Sequence, residues 1–457
     1  MSTRPLAVVI LAAGKGTRMK SDKPKVMHEV AGKPMVNWVI DAAAKLNPDK
    51  IITVIGPQMP ELEQAVAPYD FVVQNDRNGT GGAVKCALSK LKGFDGDVLV
   101  LLGDCPLLST KTLKALVKAK NKDMLTRLSV LGMEIANPTG YGRLILSADG
   151  SVIDIREEKD ANAKEKLINI VNAGAFCIEG AKLEYWIKRI KNNNAQGELY
   201  LTDLPKIAAS NGAVCALTLC SNPDEAMGCN TRNDLAHLEK TMQRQLRAKL
   251  MQSGVTLHDP DTVYVHYDTK VGIDTIVEPN VYFGPGVKIE KNVYIKANSY
   301  FEGCVVKQGA TIGPFARLRP DTKVEKDARI GNFVEIKKST IGARSKIGHL
   351  AYVGDCKMGE DVNFSAGAIT VNYDGFQKHQ TVIGKGVMVG SNVNLVAPVS
   401  IDNGAFIAAG STITENVPAD ALSIARDAAE IRQGWAARYR KMKEAAKRKK
   451  MQKKKAS

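Results

Sequence analysis

The sequence predicts an α/β fold in two parts: a Rossmann-like, mostly parallel sheet, then a connector helix leading into a left-handed parallel β-helix of hexapeptide repeats. Three observations predict it. Aliphatic strands alternate with helical stretches from Pro5 to about Arg232, apolar residues recur at intervals of three and four between Asn233 and Ser253, and aliphatic residues recur at every sixth position from Val271 onward. At 457 residues the chain exceeds one ordinary core, and the expected parts are residues 1–232, 233–253 and 254–457.

The first part reads LAVVILAAG, a helix around Met35–Leu46, IITVIG, FVVQN, a helix around Gly82–Leu91, and DVLVLLGD. Continuous aliphatic strands of this kind are buried on both faces, so the alternation implies a sheet flanked by helices, with ligands at the carboxyl ends of its strands. The connector places Leu235, Leu238, Met242, Leu246 and Leu250 on one face, with Asn233 or Asp234 as the expected N-cap and Gly254 as the stop. Beyond it, a six-residue period that runs through Val277, Phe283, Ile289 and Ile295, then through Ile312, Leu318 and Ile330, resumes at Ile347 and finally at Val389 and Ile407 cannot be a helix. It fits short strands whose aliphatic residues stack inward, coil upon coil. Gly often follows the aliphatic position, as at Gly272, Gly313, Gly331, Gly342, Gly384 and Gly390, which predicts corners with unusual dihedrals there. The register breaks at Thr370–Val382, a stretch containing Asn372-Tyr373-Asp374-Gly375 and expected to leave the solenoid as a loop.

The net charge is +16, but Arg438 to Ser457 hold eleven Lys or Arg against one acid, so the basicity is local. Such a run reads as a solvated, poorly ordered extension, with an anionic cofactor, RNA or lipid as the other partners to weigh; no specific nucleic-acid site is expected. Eight cysteines at irregular spacings, without a Cys-x-x-Cys pair, exclude a readable disulfide framework or structural zinc site. No stretch approaches the ~18 apolar residues of a membrane span, and the opening apolar run leads into Gly-Lys-Gly-Thr-Arg rather than a cleavage site. The chain reads as cytoplasmic.

Leu11-Ala12-Ala13-Gly14-Lys15-Gly16-Thr17-Arg18-Met19 follows the first strand directly. Its glycines let backbone amides approach a phosphate while Lys15 and Arg18 supply charge, although a plain tight turn would look the same. Leu102-Gly103-Asp104 ends a buried strand at the same sheet edge. That carboxylate either caps the next helix or helps hold the hard divalent cation that nucleotidyl transfer uses. In the second half His349 stands near Lys337-Lys338 and the Asn-Tyr-Asp-Gly stretch, where acyl transfer would find a base, cations and a polar loop. A solenoid serving only as scaffold or trimerisation device is the alternative.

The Leu11–Met19 stretch with Pro24-Lys25 resembles the sugar-1-phosphate nucleotidyltransferases. Joined to a long hexapeptide domain carrying His349, the chain resembles the bacterial bifunctional N-acetylglucosamine-1-phosphate uridylyltransferase and glucosamine-1-phosphate N-acetyltransferase family over roughly Pro5 to Arg426. The resemblance implies a uridylyltransferase domain at 1–232, a linker helix, and an acetyltransferase domain with a basic tail at 254–457. Leu11, Ala12, Ala13, Gly14 and Lys25 then grip the nucleotide with Arg18, Gln74 with Gly79 and Thr80 read uracil, and Leu102, Gly103 and Asp104 carry the metal edge. Asp104 and Asn230 are the implied Mg²⁺ pair, and Gly142, Glu157 and Asn172 surround the N-acetylated sugar. Gln74 suits a base edge because its amide offers donor and acceptor. In the second half the resemblance assigns His349 as general base, Arg319 and Lys337 to phosphate, and Tyr352 and Asn363 to the sugar. Ala366, Asn372, Tyr373, Ser391, Ala409 and Arg426 are implied for acetyl-CoA, and Glu335 as a group orienting the histidine. Histidine fits, since its neutral form can accept a proton near neutral pH. The implied substrates are UTP, acetyl-CoA, glucosamine 1-phosphate and N-acetylglucosamine 1-phosphate, in a homotrimer supplying UDP-N-acetylglucosamine for cell-wall precursors.

Overall fold

A computed structural model describes residues 4–455, which fall into two compact units: residues up to Thr269 together with Tyr282–Gly286, and Lys270–Val281 together with the chain from Val287 onward. In the first unit a sheet takes the order Val214–Leu219, Thr126–Glu134, Ile170–Glu179, Asp97–Leu102, Leu6–Ala12, Lys50–Ile55 and Asp70–Val73. All pairs are parallel except those of Ile170–Glu179, which runs antiparallel to both neighbours. That reversal carries Asn172, near the start of its strand, to the edge where Leu11 and Leu102 end theirs. Val8, Ile10, Leu99 and Leu101 face one core and Val9, Val98 and Val100 the other, as expected for a strand pair buried on both sides.

The helix Arg232–Gln252 packs Leu238 and Met242 against Met19, Val30, Met35 and Leu107 within the first unit. Its N-cap is Thr231 rather than Asn233 or Asp234: the Thr231 hydroxyl accepts from Asp234 N at 3.2 Å, and the Asp234 carboxylate accepts from Thr231 N at 2.8 Å. A Thr–x–x–Asp capping box satisfies two amides at once, which a cap two residues later would leave open.

The second unit winds strands of two to four residues into three parallel faces, a hexapeptide β-helix. Ile295, Ile312, Ile330, Ile347, Phe364, Val389 and Ile407 point inward, each nearly or fully buried. The corners differ from expectation. Left-handed backbone falls three residues after the aliphatic position, at Asn292, Asn298, Asp321, Asp327, Asp361 and Asn392 among others, and of the glycines that follow the aliphatic residues, Gly284, Gly348, Gly354 and Gly359 included, only Gly313 has positive φ. Asn and Asp tolerate this conformation through local hydrogen bonding. Gly after the aliphatic residue serves close approach instead: a Cβ on Gly331 would lie 1.8 Å from Gly348 O of the next coil, and one on Gly342 2.1 Å from Gly359 O.

From Trp435 to Lys455 the chain is helical, not irregular. All eight cysteines are free, and all but Cys86 are buried. Among the described residues no helix is long and apolar enough to cross a membrane.

Candidate active sites, one in each unit

The carboxyl ends of the first unit's strands open into a cavity of about 840 Å³. Leu11, Ala12, Ala13 and Gly14 form its floor directly after the first strand, and Gly103 N donates to Leu11 O at 2.9 Å, tying two strand ends together. Gly14 has open space where a Cβ would be, so its backbone is free to meet a ligand; Gly16, at φ 64°, is required because a Cβ would lie 2.5 Å from that of Lys25.

Asp104 is not a helix cap. Ser109 caps the next helix by accepting from Thr112 N at 3.2 Å, leaving Asp104 to face the cavity. The Lys25 ammonium donates to the Asp104 carboxylate and, at 3.3 Å, to Asn230 Oδ1, which also accepts from Arg18 Nη2 at 2.9 Å. Asp104 and Asn230, distant in sequence, thus place two oxygen donors around the one ammonium of Lys25. Arg18 reaches the cluster from outside the cavity wall.

Across the cavity, Gly142 O accepts from Asn172 N at 2.8 Å, and Glu157 lies beside Gly142, where a Cβ would sit 3.6 Å from its carboxylate. Burial raises the Glu157 carboxyl above the usual carboxylate range, against the opposing effect of the Thr202 hydroxyl that donates to it at 2.9 Å. Leu102 also lines the wall and supports Gly174, whose φ is 75°. Gln74 is buried, and its Nε2 donates to Gly79 O at 3.0 Å and Asn78 Oδ1 at 3.2 Å. Both amide hydrogens are engaged, so the side chain offers a ligand its acceptor oxygen alone rather than a donor–acceptor pair. Gly79, at φ 100°, lies against Leu199 O, and Thr80 Oγ1 accepts from Leu201 N at 3.0 Å. Arg77, Tyr141 and Glu198 line the same cavity and were not singled out from sequence; Arg77, a cation between Gln74 and Gly79, was the legible one.

In the second unit, His349 ends the strand Lys346–His349, and its ring lies against Asn332 of the preceding coil, Nδ1 to Oδ1. An amide oxygen only accepts, so Nδ1 is the donor in this pair, the tautomer whose neutral ring has its lone pair on Nε2. Glu335 does not orient the ring; its carboxylate is paired with Arg319 at 2.8 Å and Arg317 at 3.5 Å. Successive coils stack the other expected residues on the same corner. Gly367 N donates to His349 O at 3.3 Å, Asn392 N to Ala366 O at 2.9 Å, and Gly410 N to Ser391 O at 2.8 Å. Ala409 and Arg426 complete the row, a Cβ on Gly410 lying 3.7 Å from the Arg426 side chain.

Asn363 lies on the face before this corner, donating to Ser365 Oγ at 3.1 Å, and Tyr352 on the face after it, opposite Glu335. A Cβ on Gly354 would meet Tyr352 Oη at 2.4 Å and Asn372 Nδ2 at 2.7 Å, so this glycine lets the two side chains converge. Asn372 is buried and donates to Asp355 at 2.6 Å, opening a loop in which His379 N donates back to Asn372 O at 2.9 Å. Tyr373 is exposed there, its hydroxyl donating to Gly375 O at 2.6 Å. The amides of Gln377 and Phe376 and the His379 ring hold Asp374 far below the usual carboxylate range. The folded loop sets Lys378 against Lys337: the Lys378 ammonium first, then Arg319, lowers Lys337 from its ordinary value. Lys378, absent from the expected set, thus adds a third cation to Lys337 and Arg319.

Residues 8–143 match the MobA-like NTP transferase domain, and residues 268–303 and 380–415 match the bacterial transferase hexapeptide (six repeats). The chain is 46% identical to the bifunctional protein GlmU of Paramagnetospirillum magneticum, covering 98% of this chain and 100% of that one. The chain belongs to the bifunctional GlmU family. It is also 44% identical to the GlmU protein of Zymomonas mobilis over 96% of this chain, and 43% identical to that of Geotalea uraniireducens over 94%. The interval between the two hexapeptide matches, which in this GlmU-family chain holds His349 and the Asn372 loop, continues the same stacked strands.

Proposed function

We propose that this chain makes UDP-N-acetylglucosamine in two steps, acetylating glucosamine 1-phosphate in the unit that holds His349 and uridylylating the product in the unit that holds Asp104. The reading is carried by one observation: each unit of a single chain contains its own polar groups, Lys25–Asp104–Asn230 in one, and His349–Asn332 together with the crowded cations Arg319, Lys337 and Lys378 of the following face in the other.

In acetyl transfer, the Nε2 lone pair of His349 takes a proton from the 2-amino group as that nitrogen attacks the thioester carbonyl, and CoA leaves as the thiol. Arg319, Lys337 and Lys378 hold the sugar phosphate, Tyr352 and Asn363 the sugar, and the row from Ala366 to Arg426, with Asn372 and Tyr373, the acetyl-CoA. In uridylyl transfer, a phosphate oxygen of N-acetylglucosamine 1-phosphate attacks the α-phosphorus of UTP in line, and pyrophosphate leaves. Lys25 and Arg18 bear on the phosphates, Gln74 accepts from the base, and Glu157 and Asn172 position the sugar. Positioning and charge stabilisation dominate such reactions.

The donor set fits a hard divalent cation, because the Asp104 carboxylate and the Asn230 amide oxygen converge on a position now shared with one ammonium. Bound there, Mg²⁺ would offset charge on the α-phosphate and the leaving pyrophosphate.

A homotrimer is the proposed assembly. Phe315 and Phe333 stack at 5.2 Å, about half exposed, and Leu350 continues this apolar ridge along the corner that carries His349. Free thiols throughout support the reducing cytoplasm.

The test is to supply purified protein with acetyl-CoA and glucosamine 1-phosphate and titrate released thiol, then add UTP and Mg²⁺ and measure pyrophosphate. Pyrophosphate formed from N-acetylglucosamine 1-phosphate, without any CoA release in the first stage, would reduce the solenoid to a scaffold.

Asn332 is a positioning residue in this reading. Asn332→Ala should lower kcat for acetyl transfer by about tenfold to a hundredfold, with KM for both substrates little changed. Asn332→Asp should restore much of the rate and move the acidic limb of the pH profile to higher pH, since an adjacent carboxylate favours the protonated ring that cannot act as base. A profile unmoved by the Asp substitution would remove Asn332 from the mechanism.

A further inference from the structure

We infer that the carboxyl-terminal helix Trp435–Lys455 docks this protein on an anionic lipid surface. Two features of that helix point there. Neither is among the residues proposed above for the two transferase sites.

Its first turns carry an uncovered apolar stripe. Trp435, Tyr439, Met442 and Ala446 are spaced by four, three and four residues, which puts them on one helical face. Trp435 is 50% exposed, Tyr439 42% and Met442 58%, and every residue from Ile424 to Lys449 is exposed. The Trp435 and Tyr439 rings stack on each other with centroids 5.0 Å apart, and Lys443 Nζ lies 5.3 Å from the Tyr439 ring centre.

Around and beyond the stripe the charge is one-signed. From Arg438 to the end the sequence sets eleven Lys or Arg against Glu444 alone, and the remaining charge of the chain is close to balance by comparison. A short apolar edge ending in Trp435, followed by a dense run of Lys and Arg, is held to a bilayer chiefly by its cations on acidic lipid headgroups, with the ring entering the interface. A nucleic acid would use the same cations, but a single strand would also need open ring faces to stack its bases on. Here the two rings cover each other and the stripe continues through methionine and alanine, which suits lipid.

The test uses the full-length protein, a chain ending at Gly434, and a full-length variant carrying Lys447→Gln, Arg448→Gln and Lys449→Gln. All three should retain both transferase activities, because the proposed sites end at Arg426. At about 0.15 M salt the full chain should sediment with vesicles of phosphatidylcholine and phosphatidylglycerol and not with pure phosphatidylcholine. Each variant should lose about tenfold or more of that affinity. Tryptophan emission should shift to the blue on binding, through Trp435, and the shift should vanish in the shortened chain. Failure of the full chain to bind phosphatidylglycerol vesicles, or equal binding by the shortened chain, would overturn the inference. Tail-dependent binding to polyuridylate tighter than to vesicles, with no blue shift, would reassign the helix to nucleic acid.

Discussion

His349→Ala should lower acetyl transfer by about 10²–10⁴-fold while uridylyl transfer proceeds at its full rate. The first half of that expectation follows from the ring's geometry: Nδ1 is committed to Asn332, so Nε2 is the free base, whereas the His379 ring is engaged by Asp374 through its Nε2. The second half follows from placement, since the residues proposed for uridylyl transfer are all in the other unit. The side chain is exposed at the end of a strand whose core residue is Ile347, so its removal leaves the inward stack untouched. Parallel assays of thiol release and of pyrophosphate release on the same preparation measure both halves.

Asp104→Asn should do the reverse, lowering uridylyl transfer by about 10²–10³-fold and sparing acetyl transfer. Asparagine keeps the shape of a residue that is only 8% exposed, so the loss reports charge rather than a cavity. It replaces the carboxylate that pairs with Lys25 by a neutral amide like that of Asn230, so the two oxygens that remain carry no charge and the proposed cation position is weakened. Raising Mg²⁺ should recover part of the rate in this variant and none in Lys25→Ala. If His349→Ala and Asp104→Asn each silenced both reactions, two independent centres would be the wrong description.

What could be read beforehand divides along physical lines. The six-residue period fixed the inward residues because burial of Ile295, Ile312, Ile330 and Ile347 is an intrinsic, repeating demand of the stack. The glycines after them were legible as special but were assigned the wrong cause: close backbone approach between coils, not corner dihedrals, excludes a side chain at Gly331 and Gly342. Strand direction was not legible, since hydrophobic pattern does not encode it, and so the reversal of Ile170–Glu179 that delivers Asn172 to the cavity came only with the structure. The same holds for partners brought by stacking or by loop folding. Asn332 meets His349 because strand pairing sets them side by side across seventeen residues, and Lys378 meets Lys337 because the Asn372 loop bends back on itself. Each is adjacent in space for reasons of register that no local motif records.

One property of the stacked corner reaches past this reaction. Consecutive turns stack His349, the proposed base, under Ala366, Ser391, Ala409 and Arg426, the row proposed to hold acetyl-CoA. At the ~4.8 Å separation of paired strands, the stack measures roughly 19 Å from His349 to Arg426. The solenoid therefore works as a ruler graduated in whole turns: losing one graduation would leave a sound hydrophobic stack yet misfit any donor of fixed length, and gaining one would admit a longer molecule.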